Sequence, residues 1–416
     1  MTIAGESSMK HPKILSILLL ALLITAGIFW NQYTHPAISS GESVFLPEKE
    51  IHIPATAEAP SAPVLQAKYA CVMDSSSGRI LYGKDNNVKA PMASTTKIMT
   101  AILVLESGRL QETVCASSYA ASMPKVHLGM RKGYQYYLKD LLYSLMLESH
   151  NDSAVAIAEH MSGSVQGFAE QMNQKAAELG MADTHFVTPN GLDADEHYST
   201  AADMCRLAAY AIQNKEFCAL IQTKNYSFHT VDGKHSYSVS NKDAFLSYYD
   251  GALGVKTGFT GKAGYCFVGA AKRDNTTLTS CVLACGWPPN KTYKWTDTKN
   301  LMDYGFANYA PLTMPVQDLT ALRIPVEDGK SSFVSCQQPD EILTMSSRSE
   351  SISVIYEIPE KLYAPVHADT PIGSISFYIN DELYCKENVF PSESIEKSVF
   401  SDTIMGVLQL WMENFS

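Results

Sequence analysis

Three short polar segments carry residue types suited to acyl transfer. Ser94-Thr95-Thr96-Lys97 follows Pro91-Met92-Ala93 and opens an apolar run at helical spacing, so Ser94 is expected at a helix start and Lys97 one turn later on the same face. A hydroxyl is a poor nucleophile until a neighbour takes its proton. A lysine can do so only where burial or a nearby cation disfavours its ammonium form. The helix N-terminus adds a favourable dipole for a developing oxyanion. The spacing alone says little, because Ser7/Lys10 and Ser394/Lys397 share it and a helix-capping serine is the plain structural reading.

Two further segments change that balance. Ser149-His150-Asn151 lies 55 positions after Ser94, and Lys256-Thr257-Gly258 lies 107 after Ser149. The first falls between a helix ending near Leu147 and another that Asp152 can cap, a tight loop able to present a hydroxyl relay and an amide. The second falls in an apolar strand and offers a cation, a hydroxyl and a residue without a side chain. That set suits a strand edge along which a peptide lies and its carboxylate is captured, with Gly258 admitting the ligand backbone.

The elements that must position these residues follow from periodicity. Short apolar runs at 69–74 and 79–82 flank Ser75-Ser76-Ser77-Gly78 and read as a hairpin. Helical spacing dominates from 94 to about 220, with segments at 95–105, 138–147, 153–161 and 165–179. Strand patterns return at 254–257, 265–272 and 276–285, and a helix near 298–306 closes the unit. Strands at both ends of a helical block imply an α/β layer in which N- and C-terminal strands share one antiparallel sheet, with the chemistry between sheet and helices. Beyond Pro315, strand-like runs at 319–326, 351–357, 372–379 and 382–388 imply a small all-β domain.

The termini differ from this body. Lys10 and Lys13 precede an uncharged apolar run from Ile14 to Trp30, either a cleaved export signal or a retained anchor, with everything after it outside the cytoplasm. Pro36, Pro47, Pro54, Pro60 and Pro63 mark an extended, unpacked tether. From Val399, Phe400, Ile404, Leu408, Trp411, Met412 and Phe415 gather on one helical face, which either lies on a membrane or docks on the protein.

The SxxK, SxN and KTG order resembles the three signatures shared by penicillin-binding proteins and active-site serine β-lactamases. Residues 188–193, 196–201 and Gly264-Tyr265-Cys266 narrow the resemblance to low-molecular-weight D-alanyl-D-alanine carboxypeptidases, over roughly 69–309, and 314–389 looks like the second domain many members carry. The resemblance implies a serine β-lactamase/transpeptidase-like catalytic domain of α/β (α+β) class followed by a small all-β domain. The expected organisation is a signal or anchor at 1–33, a linker at 34–63, a catalytic domain at 64–310, a β-rich domain at 314–392 and an amphipathic C-terminal helix at 396–416.

The implied activity is removal of the terminal D-alanine from peptidoglycan stem pentapeptides, with β-lactams as covalent inhibitors and a place in cell-wall biogenesis and cell shape. Position by position, Ser94 would attack the carbonyl between the last two D-alanines, Lys97 would take its proton and Ser149 would pass a proton to the leaving amine. Asn151 would orient the peptide amide, Lys256 would supply positive potential and Thr257 would hold the terminal carboxylate. Gly258 would give the ligand room, and the N–H groups of Ser94 and Phe259 would form the oxyanion hole. Two departures stand out. His150 occupies the middle of SxN, where a partly exposed loop histidine without a role is the simpler reading, and Lys291 and Lys294 stand where many relatives place arginine. Lys294 could assist carboxylate binding, less rigidly than a guanidinium.

Composition bounds the alternatives. A net charge of −11 over 416 residues offers no cationic surface for nucleic acid. Nine cysteines without a CxxC pair read as buried free thiols rather than a disulfide framework. Eleven histidines include no HExxH-type pair, so no metal or other cofactor is expected. A serine β-lactamase would need an ExxxN-type carboxylate between the second and third motifs, and none matches. A D,D-endopeptidase acting on cross-linked peptidoglycan would use the same acyl-enzyme.

Overall fold

Alternation along the strands builds a sheet buried on both faces. In Tyr69–Asp74, Ala70 and Val72 pack with Leu301 and Met302, whereas Cys71 and Met73 join the core formed with the helical block. Period-two side-chain direction produces that division. The computed structural model describes residues 50–399 and Ile404, in two units: 58–312 with 343–348, and 50–57 with 313–342 and 349–399.

In the larger unit, five antiparallel strands run in the order Ile80–Lys84, Tyr69–Asp74, Thr276–Leu283, Gly264–Arg273, Ala252–Thr260. N- and C-terminal strands therefore share one sheet, as expected. The helical block, including Lys97–Glu106, Leu138–Leu147, Asn151–Ser162, Val165–Glu178 and Ala201–Ala211, covers one face, and Tyr293–Asn308 covers the other. Side-chain caps fix several starts: Ser164 accepts from Gly167 N, Thr200 from Asp203 N, and Asn214 from Glu216 and Phe217 N. The final helix is longer than 298–306. Lys294, Asp297 and Thr298 are buried in it despite their polarity, so apolar periodicity under-reported its length.

Over 50–57, 313–342 and 349–399 the smaller unit is all-β apart from a 3₁₀ turn at Leu319–Ala321. Its main sheet orders Glu50–Ile53, Ile352–Glu357, Gly373–Ile379 and Glu382–Val389, all antiparallel. Two expectations are corrected here. Residues 50–53, expected as unpacked linker, pair with 352–355, because Glu-Ile-His-Ile has the alternation an edge strand uses and His52 Nδ1 reaches Ser353 Oγ at 2.8 Å. Residues 396–398, expected to open a helix, are extended instead: Lys330 N donates to Glu396 O at 2.9 Å and Ser398 N to Asp328 O at 2.8 Å. The apolar run at 14–30, the linker before 50 and the C-terminal helix beyond 399, except Ile404, lie outside the described residues. Among the described residues no helix is long and apolar enough to cross a membrane.

Candidate active site

Ser94 does not cap a helix. It sits in a 3₁₀ turn, Ala93–Thr96, that runs into Lys97–Glu106, and Ala93 before it holds φ 50°. A non-glycine residue at positive φ persists only where its surroundings impose it. Here Thr96 Oγ1 donates to Ala93 O at 2.9 Å, and two glycines let other backbone pack against the turn. A Cβ on Gly191 would stand 2.0 Å from Ala93 O, and one on Gly258 would stand 3.1 Å from Ala93 Cβ, Met92 O and Ser94 N. The KTG strand and the 187–193 loop thus close on the turn from different elements.

Lys97 is fully buried, with Nζ 2.9 Å from Ser94 Oγ and 3.0 Å from Asn151 Oδ1, and it also contacts Asn190 O. Burial first, and then the Lys256 charge, hold its pKa well below the ordinary lysine value, with Asp152 opposing. Nζ donates to all three partners, and the Ser94 hydroxyl points at Asn190 O at 3.4 Å; once Nζ gives up a proton, its lone pair can accept from Ser94 while its two N–H groups stay on Asn151 and Asn190.

The second motif opens Asn151–Ser162, and Ser149 before it has φ 68°. Ser149 Oγ is buried and has no hydrogen-bond partner among the described residues. Asn151 bridges Lys97 to the opposite wall, its Nδ2 donating to Pro124 O at 3.2 Å. Each end of that amide keeps one unused donor or acceptor position.

Asp152 stands inside the first turn rather than at the cap position, which is His150, and its Oδ1 accepts from Ser153 N at 2.9 Å. Its carboxylate accepts from the backbone N–H groups of Leu128, Gly129 and Met130 at 2.9, 2.9 and 3.1 Å, holding the facing loop. His150, expected as partly exposed, is buried: Nδ1 lies 2.8 Å from Ser144 Oγ and Nε2 3.3 Å from Glu148 Oε2. Burial, the largest influence, lowers its pKa. It is part of the loop's internal support.

Lys256 lies buried in the edge strand Ala252–Thr260, with Nζ donating to Thr257 O at 3.2 Å. Burial brings its pKa down to about 8, while Asp243 pulls it up. Thr257 is partly exposed, and the Phe259 side chain is exposed with its ring 4.6 Å from Tyr265, so Phe259 can contribute through its backbone. Lys294 is buried, donates to Lys291 O at 3.0 Å and lies over the rings of Tyr265 and Trp295 at 4.8 and 4.6 Å.

Hydrogen bonds therefore join Ser94, Lys97 and Asn151, and Gly258 sits against the backbone N–H of Ser94. Sequence reasoning missed Asn190, whose carbonyl takes Lys97, and Asp243. The Oδ2 oxygen of Asp243 is buried without a hydrogen-bond partner among the described residues, 3.3 Å from where a Gly254 Cβ would lie. Its carboxyl is pushed up to about 7, by burial above all, while Lys256 and Lys294 pull it down. An Asn-Lys-Asp run in a loop carries no signal of a buried charge. Among the described residues, no group of three or more His, Cys, Asp or Glu could hold a metal.

The family model described as D-alanyl-D-alanine carboxypeptidase matches residues 56–286, and that of the penicillin-binding protein 5 C-terminal domain matches 313–397. Among curated proteins, the chain is 28% identical to D-alanyl-D-alanine carboxypeptidase DacF of Bacillus subtilis, over 83% of this chain and 90% of that one. It is 35% identical to D-alanyl-D-alanine carboxypeptidase DacB2 of Mycobacterium tuberculosis, over 57% of this chain and 81% of that one. Among solved structures, penicillin binding protein 5 of Haemophilus influenzae superposes with a TM-score of 0.70 at 26% identity, covering 82% of this chain and all of that one.

Proposed function

The chain belongs to the D-alanyl-D-alanine carboxypeptidase family and is a serine carboxypeptidase of that specificity; on that premise we propose that Ser94 is its nucleophile, with Lys97 as the base. The observation that carries this reading is the Lys97 ammonium site, buried, repelled by Lys256 and 2.9 Å from Ser94 Oγ. Neutral Lys97 takes the hydroxyl proton as Ser94 Oγ attacks the carbonyl of the penultimate D-alanine. The resulting oxyanion is met by the N–H groups of Ser94 and Phe259. Ser149, whose oxygen is buried and without a hydrogen-bond partner among the described residues, relays the proton to the departing amine. The terminal D-alanine leaves, and water releases the acyl group.

Asn151 orients the stem peptide with its remaining amide capacity, and Gly258 leaves room for the peptide backbone. Lys256 and Thr257 receive the terminal carboxylate, with Lys294 adding positive charge nearby. The same geometry accounts for β-lactams as covalent inhibitors, since their strained amide would acylate Ser94. The substrate places the enzyme's action outside the cytoplasm, at the cell wall, with the apolar run at 14–30 as its export signal or anchor. Ser94→Ala is expected to abolish covalent labelling by a fluorescent penicillin and release of free D-alanine from a pentapeptide stem. Undiminished labelling would remove Ser94 from the mechanism.

A further inference from the structure

A buried histidine that the reaction scheme leaves unused is tied to the nucleophile turn. His197 Nε2 lies 3.0 Å from Thr96 Oγ1, and Thr96 Oγ1 lies 2.9 Å from Ala93 O. The other imidazole nitrogen, Nδ1, accepts from Val187 N at 2.9 Å. A backbone N–H can only donate, so Nδ1 carries no proton and Nε2 carries it. Nε2–H then donates to Thr96, which leaves the Thr96 hydroxyl proton free to donate to Ala93 O.

That last acceptor matters because of peptide geometry. The carbonyl of Ala93 and the N–H of Ser94 belong to one planar trans unit and point in opposite directions. Fixing the carbonyl fixes the aim of the N–H. Ala93 is held at φ 50°, so its peptide plane needs support from outside the turn. His197 is itself fixed by its strap, in which Tyr198 bridges to His185 and Ser199 to Ala90.

We propose that His197, as its Nε2–H tautomer, is a positioning residue for acylation: through Thr96 it locks the Ala93 carbonyl and thereby aims the Ser94 N–H at the oxyanion. The proposal rests on Ser94 being the nucleophile. Burial, with His185 as the charged-capable neighbour, lowers the His197 pKa to about 4, so the neutral tautomer holds at neutral pH.

Nitrogen NMR of the wild-type imidazole is expected to show Nε2 protonated and Nδ1 bare at neutral pH. Thr96→Val should slow acylation by a fluorescent penicillin about ten- to hundredfold, part of the effect of losing one oxyanion donor. Thr96→Ser, which keeps the hydroxyl, should recover most of the rate. His197→Gln, which keeps a side-chain donor, should lose less than His197→Phe. Protonated Nδ1 in the wild type, or wild-type acylation by folded Thr96→Val, would overturn the relay. Labelling that survives Ser94→Ala would instead overturn the nucleophile assignment on which the relay depends.

Discussion

Adding a single methyl group at Gly258 tests whether the KTG strand and the nucleophile turn form one oxyanion site. The new Cβ would sit 3.1 Å from Ala93 Cβ, Met92 O and Ser94 N, against an optimal carbon contact of about 3.5 to 4.0 Å. Gly258 is not at positive φ, so backbone strain does not enter. Relief requires the strand and the turn to separate by roughly 0.4 to 0.9 Å at that contact. A shift of that size lengthens a hydrogen bond of about 2.9 Å past its useful range at one of the two proposed donors, Ser94 N or Phe259 N. Removing one donor outright costs about 100- to 1000-fold, so a partial loss of about 10- to 100-fold is expected in acylation. Overpacking adds a stability cost of about 1 to 3 kcal/mol.

Gly261→Ala is the internal control, because nothing lies within 4 Å of a Cβ there. The assay is the second-order acylation rate with a fluorescent penicillin, read beside thermal unfolding for both variants. Wild-type acylation by folded Gly258→Ala would refute the reasoning. Equal loss in both variants would refute it as well.

Two further outcomes follow from buried carboxylates. Asp243→Asn removes the charge that raises the Lys256 pKa, and the other charged group acting on Asp243 is Lys294. Lys256 must be a cation to hold a carboxylate and already titrates at about 8, so the alkaline fall in kcat/KM should move to lower pH. An unmoved limb in the pH profile of D-alanine release would count against Asp243 as its countercharge. Asp152→Ala leaves the N–H groups of Leu128, Gly129 and Met130 without their acceptor and should cost about 2 kcal/mol or more in urea unfolding. A loss under about 0.5 kcal/mol would show that the loop is held by other contacts.

Much of the larger unit was legible because its elements are strongly periodic. The strands at 69–74, 265–272 and 276–285 and the helices at 138–147 and 165–179 emerge nearly where they were expected. The short pairings were not legible. Glu50–Ile53 has no turn or length signal of its own and becomes a strand only because Ile352–Glu357 offers a free edge. His150 was misjudged for a related reason: a polar loop residue looks solvent-facing until Ser144 and Glu148 are brought to it. Asp152, expected as a helix cap, turns most of its hydrogen-bonding capacity to the 128–130 backbone, which lies more than twenty positions away.

The order of SxxK, SxN and KTG, and the residue types within them, belong to the linear chain, because chemistry needs particular groups wherever they fold. Their ionisation and aim belong to tertiary structure. Lys97 loses its proton readily because burial and the Lys256 charge both penalise its ammonium, and those two residues stand 159 positions apart. The Ser94 turn is approached closely by Gly191 and Gly258, which come from two separate elements and leave no room there for a side chain. Desolvation and close approach are properties of packed space, and no local spacing encodes them.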